Sequence, residues 1–139
     1  MFVLTPDLET TPAEAAGLTA ELGRIIADLA SRELEAGRLD HAHTILEGLA
    51  LANPHDAAAW CLLALVERRR GRLLAARLCA ETAKKLAPAD PQVRLVRAEV
   101  LLATAEDRAA GRGELAVLAR EPGHVGERAR ALAAALGET

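Results

Sequence analysis

The chain has 139 residues, 51% of them apolar, and a formal net charge of −3, so it can bury the core of one domain but not comfortably of two. Only Phe2 and Trp60 are aromatic and Tyr is absent, which favours closely packed helices over a β-sheet. The longest apolar run, residues 57–66, is too short to cross a membrane, and residues 1–12 lack the pattern of a secretory signal. We therefore expect a cytoplasmic all-α protein without membrane insertion.

A repeat of 34 residues organises the sequence, because Pro54, Pro88 and Pro122 are separated by that interval. Small residues return on the same period: Ala30, Ala64 and Ala98, then Ala42, Ala76 and Ala110. We expect them where two helices cross most closely. A fixed period in this range is typical of solenoids, whose units bury their apolar faces against one another. The pattern indicates a binding scaffold.

The predicted elements begin with a helix that Thr11 caps and that has Pro12 at its first position. Residues 1–22 form this N-terminal arm and helix. Three repeats follow, each a pair of antiparallel helices, at 23–56, 57–90 and 91–124. Their helices are expected near 23–36, 39–52, 57–70, 73–86, 91–104 and 107–120, with Gly37 and Gly71 at the turns. Residues 125–139 form a capping helix and tail.

The third repeat departs from this pattern, because Gly111 and Gly113 fall inside its expected second helix and Asp107 replaces a leucine. Each glycine inside a helix costs about 1 kcal/mol relative to alanine. Either the helix forms and the repeat is weak or distorted, or the first helix continues to about Ala110 and residues 111–113 form the turn. The sequence leaves both possibilities open.

The sequence contains no catalytic or cofactor-binding motif, so we expect neither an enzyme nor a bound cofactor. His41 and His43 lie on nearly opposite sides of a predicted helix and cannot share a metal ion. Cys61 and Cys79 lack metal-site spacing and are expected to be small buried residues. The basic run Arg68 to Arg70 ends a helix, where cations complement the dipole, and no aromatic residues accompany it to stack on bases. We expect no metal and no nucleic-acid partner.

The second repeat resembles the tetratricopeptide repeat at the spacings of that family, through Trp60, Leu63, Ala64, Gly71, Ala76, Ala83 and Pro88. Glu67 and Ala80 stand where the family usually has Tyr and an aromatic residue. The resemblance implies a right-handed solenoid whose first helices line a concave groove for an extended peptide. It places these residues in the groove: Ala27, Ser31, Leu34, Cys61, Leu65, Arg68, Leu95, Glu99 and Leu102. Arg24, Ala58 and Gln92 would also line it.

Three repeats, an N-terminal helix, a cap and an apolar groove are similar to the class II chaperones of bacterial type III secretion. Residues 98–102 also look like the third repeat of that group, whose members hold membrane-inserting translocators soluble until export. The resemblance implies a chaperone for a secreted client with apolar anchors, and the alternative is a structural subunit of a secretion, pilus or envelope assembly. It also implies a homodimer through residues 1–22. The uneven charge along the chain suggests that the acidic stretch 7–21 meets Arg69, Arg72 and Arg77 of a second copy, and the alternative is that both are solvated faces.

Overall fold

The computed structural model describes residues 19–137, and this part of the chain forms helices and turns without a strand. Its helices are α1 (Ala20–Glu35), α2 (Leu39–Ala52), α3 (Ala57–Arg69), α4 (Leu73–Leu86), α5 (Pro91–Leu101), α6 (Arg108–Leu118) and α7 (Gly123–Ala135). The expectation of an all-α chain is confirmed over this range. The helix start expected at Thr11 lies outside the described residues.

Side-chain caps begin the first helix of each pair. Thr19 accepts a hydrogen bond from the Leu22 amide at 3.1 Å, Asp56 from the Ala58 amide at 3.0 Å, and Asp90 from that of Gln92 at 2.9 Å. Each cap satisfies an amide that has no partner within the helix. Short polar residues therefore start α1, α3 and α5, and Asp56 and Asp90 occupy the same position of the 34-residue repeat.

Glycines at positive φ end the first helix of the first two pairs. Gly37 has a φ of 80° and Gly71 a φ of 79°, a region that suits a residue without a Cβ atom. In the first turn Arg38 donates its amide to the Glu33 carbonyl, and in the second Arg72 donates to that of Glu67, both at 2.9 Å. This is the Schellman geometry, and it reverses the chain in the same way twice.

Consecutive helices pack against one another along the chain, and the first helices also contact each other: α1 with α3, α3 with α5, and α5 with α7. Among the described helices, α2 and α4 have no such contact. The result is an inner layer of α1, α3, α5 and α7. This layer carries the candidate site described below.

Small residues let the paired helices approach closely in the first two repeats. Ala30, Ala42, Ala64 and Ala76 are all fully buried, as expected from the period. Large side chains there would force the helices apart and strain a close-packed interior.

The third repeat is shifted by one residue, so the expectation for Ala110 is wrong. Ala110 is exposed and Gly111 is buried in its place, where a Cβ atom would lie 3.1 Å from the Ala98 carbonyl oxygen. The cause is the connection after α5, which occupies residues 102–107 and is longer than the turns of the first two repeats. Gly111 and Gly113 both lie inside α6, so they do not form the turn.

Asp107 forms an ion pair and a hydrogen bond at the end of this longer connection. It accepts hydrogen bonds from Arg77 and from Thr104. Arg77 also pairs with Glu81 at 3.3 Å, and Glu81 accepts a hydrogen bond from Arg97 at 2.7 Å. The network joins α4, α5 and the start of α6. A polar anchor therefore replaces the leucine that begins the second helix of the other repeats.

The two glycines of α6 give a matched pair of substitutions. Nothing lies within 4 Å of a Cβ atom added to Gly113, so Gly113→Ala should raise the free energy of unfolding by about 0.5–1 kcal/mol through helix propensity. Gly111→Ala should lose this gain, because its Cβ would press on the Ala98 carbonyl. Chemical denaturation followed by circular dichroism measures both. A Gly113→Ala protein less stable than the parent would contradict the helical assignment.

Candidate binding groove

Two adjoining cavities lie on the common face of α1, α3 and α5. The first, which we call the apolar cavity, has a volume of about 580 Å³. It lies against the N-terminal halves of the three helices, with Ala27 of α1, Cys61 of α3 and Val93 of α5 among its walls. Charged residues, including Asp28 and Asp90, stand around it.

The second, which we call the polar cavity, has a volume of about 420 Å³ and lies toward the C-terminal ends of the same helices. Leu34, Arg68 and Leu95 are among its walls. The capping helix α7 contributes His124 and Arg128 and so closes this end.

The two cavities form one groove because they share wall residues: Ser31, Leu62, Leu65, Gln92 and Val96. On α3 the walls extend from Ala58 to Arg69, which is about 16 Å along a helix axis. An extended segment rises about 3.3 Å per residue, so four or five residues cover this length.

The structure places eight of the nine groove residues expected from the sequence in these walls. Ala27, Ser31, Cys61 and Leu65 line the apolar cavity, and Ser31, Leu34, Leu65, Arg68, Leu95 and Glu99 line the polar cavity. Leu102 does not line either cavity. Because α5 ends at Leu101, Leu102 packs instead in the cluster that joins α5 to α6 and α7.

Sequence reasoning missed the sixth position of each repeat, which holds Asp28, Leu62 and Val96 in the groove walls. On a helix this position is adjacent to the second, fifth and ninth, so a wider helical face would have included it. It also missed His124 and Arg128, because nothing in the repeat pattern indicates that α7 folds against the groove.

Most polar groups around the inner layer are already paired. Glu99 is buried and accepts a hydrogen bond from Arg128 at 3.1 Å. Glu67 is buried beside Arg70, whose Nη1 donates to its Oε1 at 2.8 Å. A carboxylate therefore fills the place of the family's usual tyrosine, and its charge is compensated by an arginine.

Both cysteine thiols are held in the unreactive protonated form. Burial raises the pKa of Cys61 to about 12, and the carboxylates of Asp90 and Asp56 act in the same direction. Burial and then the charge of Glu67 raise the pKa of Cys79 to about 11. The thiolate is the reactive species, so neither residue is a nucleophile near neutral pH.

Thiol labelling tests this environment. At pH 8 the native protein should react with an aromatic disulfide reagent far more slowly than free cysteine, since the thiolate fraction is about one in a thousand or less. The same protein in denaturant should expose both thiols and react at once. Fast reaction of either cysteine in the native protein would contradict the burial described above.

Within residues 19–137 there is no cluster of three or more histidine, cysteine or acidic side chains placed to hold a metal ion. In the same range no helix is long and apolar enough to cross a membrane. His41 lies beside Glu33 and His43 beside Glu47, in separate contacts.

The described helices form a helical-repeat fold that is similar to the tetratricopeptide-like fold of type III secretion translocator chaperones. No protein-family model and no curated protein matches the sequence. Solved structures do match. The translocator chaperone SycD of Yersinia enterocolitica has a TM-score of 0.75 at 17% identity, over 91% of this chain and 98% of that chain.

Two further structures share the fold. PcrH from Pseudomonas aeruginosa has a TM-score of 0.69 at 21% identity, over 87% of this chain and 96% of that chain. PcrH in complex with the chaperone binding region of PopD has a TM-score of 0.70 at 21% identity, over 87% and 95% of the two chains. The expected fold is therefore confirmed.

Proposed function

We propose that the protein is a cytoplasmic chaperone that holds an extended, apolar segment of a secreted client in the groove, most specifically a translocator of a type III secretion system. The observation that carries this proposal is the continuous groove across α1, α3 and α5, with Leu62 and Leu65 at its centre. The fold supports it, because PcrH of the same fold binds the chaperone binding region of PopD.

The proposed mechanism is competition for the client's apolar side chains. Each leucine-sized anchor buried in the groove contributes about 1.5–3 kcal/mol relative to exposure to water. Part of this is offset by the ordering of an extended segment on binding. A segment held in this way cannot aggregate or insert into a membrane before export.

Leu65 gives the direct test, because it lines both cavities and is only partly buried. A charge there would face the client's apolar anchors, so Leu65→Glu should abolish client binding and leave the circular dichroism helical. Leu74→Glu is the matched control, since Leu74 is 74% exposed and does not line the groove. The measurement is affinity purification from the native cell. Leu95→Glu is a poorer test, because Leu95 is 2% exposed and its loss would damage the core.

Wild type and the control should recover one secreted protein in a small stoichiometric complex, and Leu65→Glu should not. Recovery of the same client by Leu65→Glu would refute the groove as its site. The alternative function is a structural subunit of a larger assembly, and it has support from Leu74 and Leu78, two exposed leucines one turn apart on α4. Under that alternative, the wild-type protein should sediment with the assembly, and the Leu74→Glu protein should no longer do so.

We also propose a homodimer through residues 1–22. Leu22, Ile25 and Leu29 form an exposed apolar stripe on α1 that continues this segment. Of the basic residues expected to face the acidic stretch of a second copy, Arg77 is already paired with Glu81 and Asp107, whereas Arg69 and Arg72 are exposed.

Sedimentation velocity tests the dimer. The dimer should weaken as the salt concentration rises, because salt screens the charge of the acidic stretch. Leu29→Glu should shift the protein to monomer, because it puts a charge into the apolar stripe. Leu51→Glu, at another exposed leucine on α2, is the control and should leave the dimer intact. A monomer at every salt concentration would refute the arrangement. So would a dimer that is indifferent both to salt and to deletion of residues 1–22.

A further inference from the structure

The polar cavity contains a basic side chain, Arg68, whose Nε has no hydrogen-bond acceptor among residues 19–137. Three consecutive arginines, Arg68, Arg69 and Arg70, stand at the C-terminal end of α3 and just after it. Two of them form hydrogen bonds: Arg69 donates to the Leu34 carbonyl oxygen at 2.9 Å, and Arg70 donates to Glu67 at 2.8 Å. Arg68 lines the polar cavity, and its Nε is shielded from solvent with no hydrogen-bond acceptor within the described part of the chain. The repeated arginines therefore have different roles.

An unpaired donor of this kind is costly. A buried hydrogen-bond donor without an acceptor destabilises a protein by about 1–3 kcal/mol, and more if the group is charged. The helix dipole favours a cation near the end of α3 but does not supply an acceptor for Nε. Arg68 would therefore gain if its guanidinium turned into the cavity to meet an acceptor that a ligand supplies there.

The carboxylates of the cavity do not fill this role. Glu99 is bound by Arg128 at 3.1 Å, and neither Glu99 nor Glu35 forms an ion pair with Arg68. The walls also carry an excess of positive charge, with Arg68, Arg69 and Arg128 against two glutamates. The apolar cavity has the opposite balance, with Glu21, Asp28 and Asp90 against Arg24. The two ends of the groove therefore differ in sign.

We propose that Arg68 binds the side chain of an aspartate or glutamate within the client segment. This inference rests on the proposed function and specifies the client's chemistry. A guanidinium pairs with a carboxylate through two parallel hydrogen bonds, which gives specificity as well as affinity. Leu65 and Arg68 are three residues apart on α3, about 4.5 Å along its axis, so the acidic residue lies within about two residues of the apolar anchor on Leu65.

A displayed peptide library tests this without a known client. Random dodecapeptides fused at their C-termini to a phage coat protein carry side-chain carboxylates but no free terminal one. Wild type should enrich peptides that have an apolar residue with Asp or Glu within two positions. Arg68→Met should enrich the same apolar pattern without the acidic residue. Arg120→Met removes an exposed arginine of equal charge outside the groove and should behave as wild type.

Affinities then measure the pairing itself. One enriched peptide is synthesised with acetylated and amidated ends, together with its acid-to-amide version. Wild type should bind the acidic peptide about tenfold more tightly, the difference expected of a charge-assisted hydrogen bond. Arg68→Met should bind both peptides equally, at the affinity of wild type for the amide version. Thermal melting checks the fold of the variants, and the comparison of the two peptides on wild type needs no variant.

The outcomes separate this inference from the proposed function. If wild type enriches no peptides, the groove is not a peptide site and both proposals fail. If it enriches apolar peptides without an acidic preference, or if Arg68→Met retains that preference, the role of Arg68 is refuted and the groove function stands.

Discussion

Close approach of paired helices is the constraint on which the rest of the structure depends. Ala30 and Ala64 are fully buried where α1 and α3 meet their partners, and Gly111 has the same role in α6. With these small residues, the helix pairs stack so that α1, α3 and α5 lie side by side. The groove is a consequence of this stacking, since its walls come from three helices that are far apart in sequence. Side-chain volume at the crossings thus sets the width of the binding surface.

Much of the fold could be predicted from the sequence because its signals are local. A glycine at a left-handed turn, a short polar cap and a proline at the repeat boundary each act within a few residues, and the period places them. The groove positions followed from the resemblance to the tetratricopeptide repeat. Even so, Asp28, Leu62 and Val96 were missed, because the width of a buried face depends on how closely the neighbouring helices pack.

The third repeat shows what the sequence pattern does not determine. Its one-residue shift follows from a longer connection that is held by the pairing of Asp107 with Arg77, a contact between residues 30 apart in sequence. Periodicity has no means of indicating such a contact. The position of α7 is similar, since His124 and Arg128 reach the groove only through packing of α7 on α5 and α6. The ion pair between residues distant in sequence and the packing of α7 against α5 and α6 therefore could not be predicted from the sequence.

Helix α5 belongs to two separate cores. Val93, Val96 and Val100 pack into the cluster of the first two repeats, whereas Leu95 and Ala98 pack with α6 and α7. The described residues therefore form two hydrophobic cores that share helix α5. The polar cavity lies at the boundary between the two cores, with Leu34 of the first and Leu95 of the second among its walls. An occupant of the groove touches both cores at once. Such an occupant should stabilise the packing of one core against the other. Amide exchange in α6 and α7 should therefore become slower when the groove is filled, because local opening there becomes less frequent.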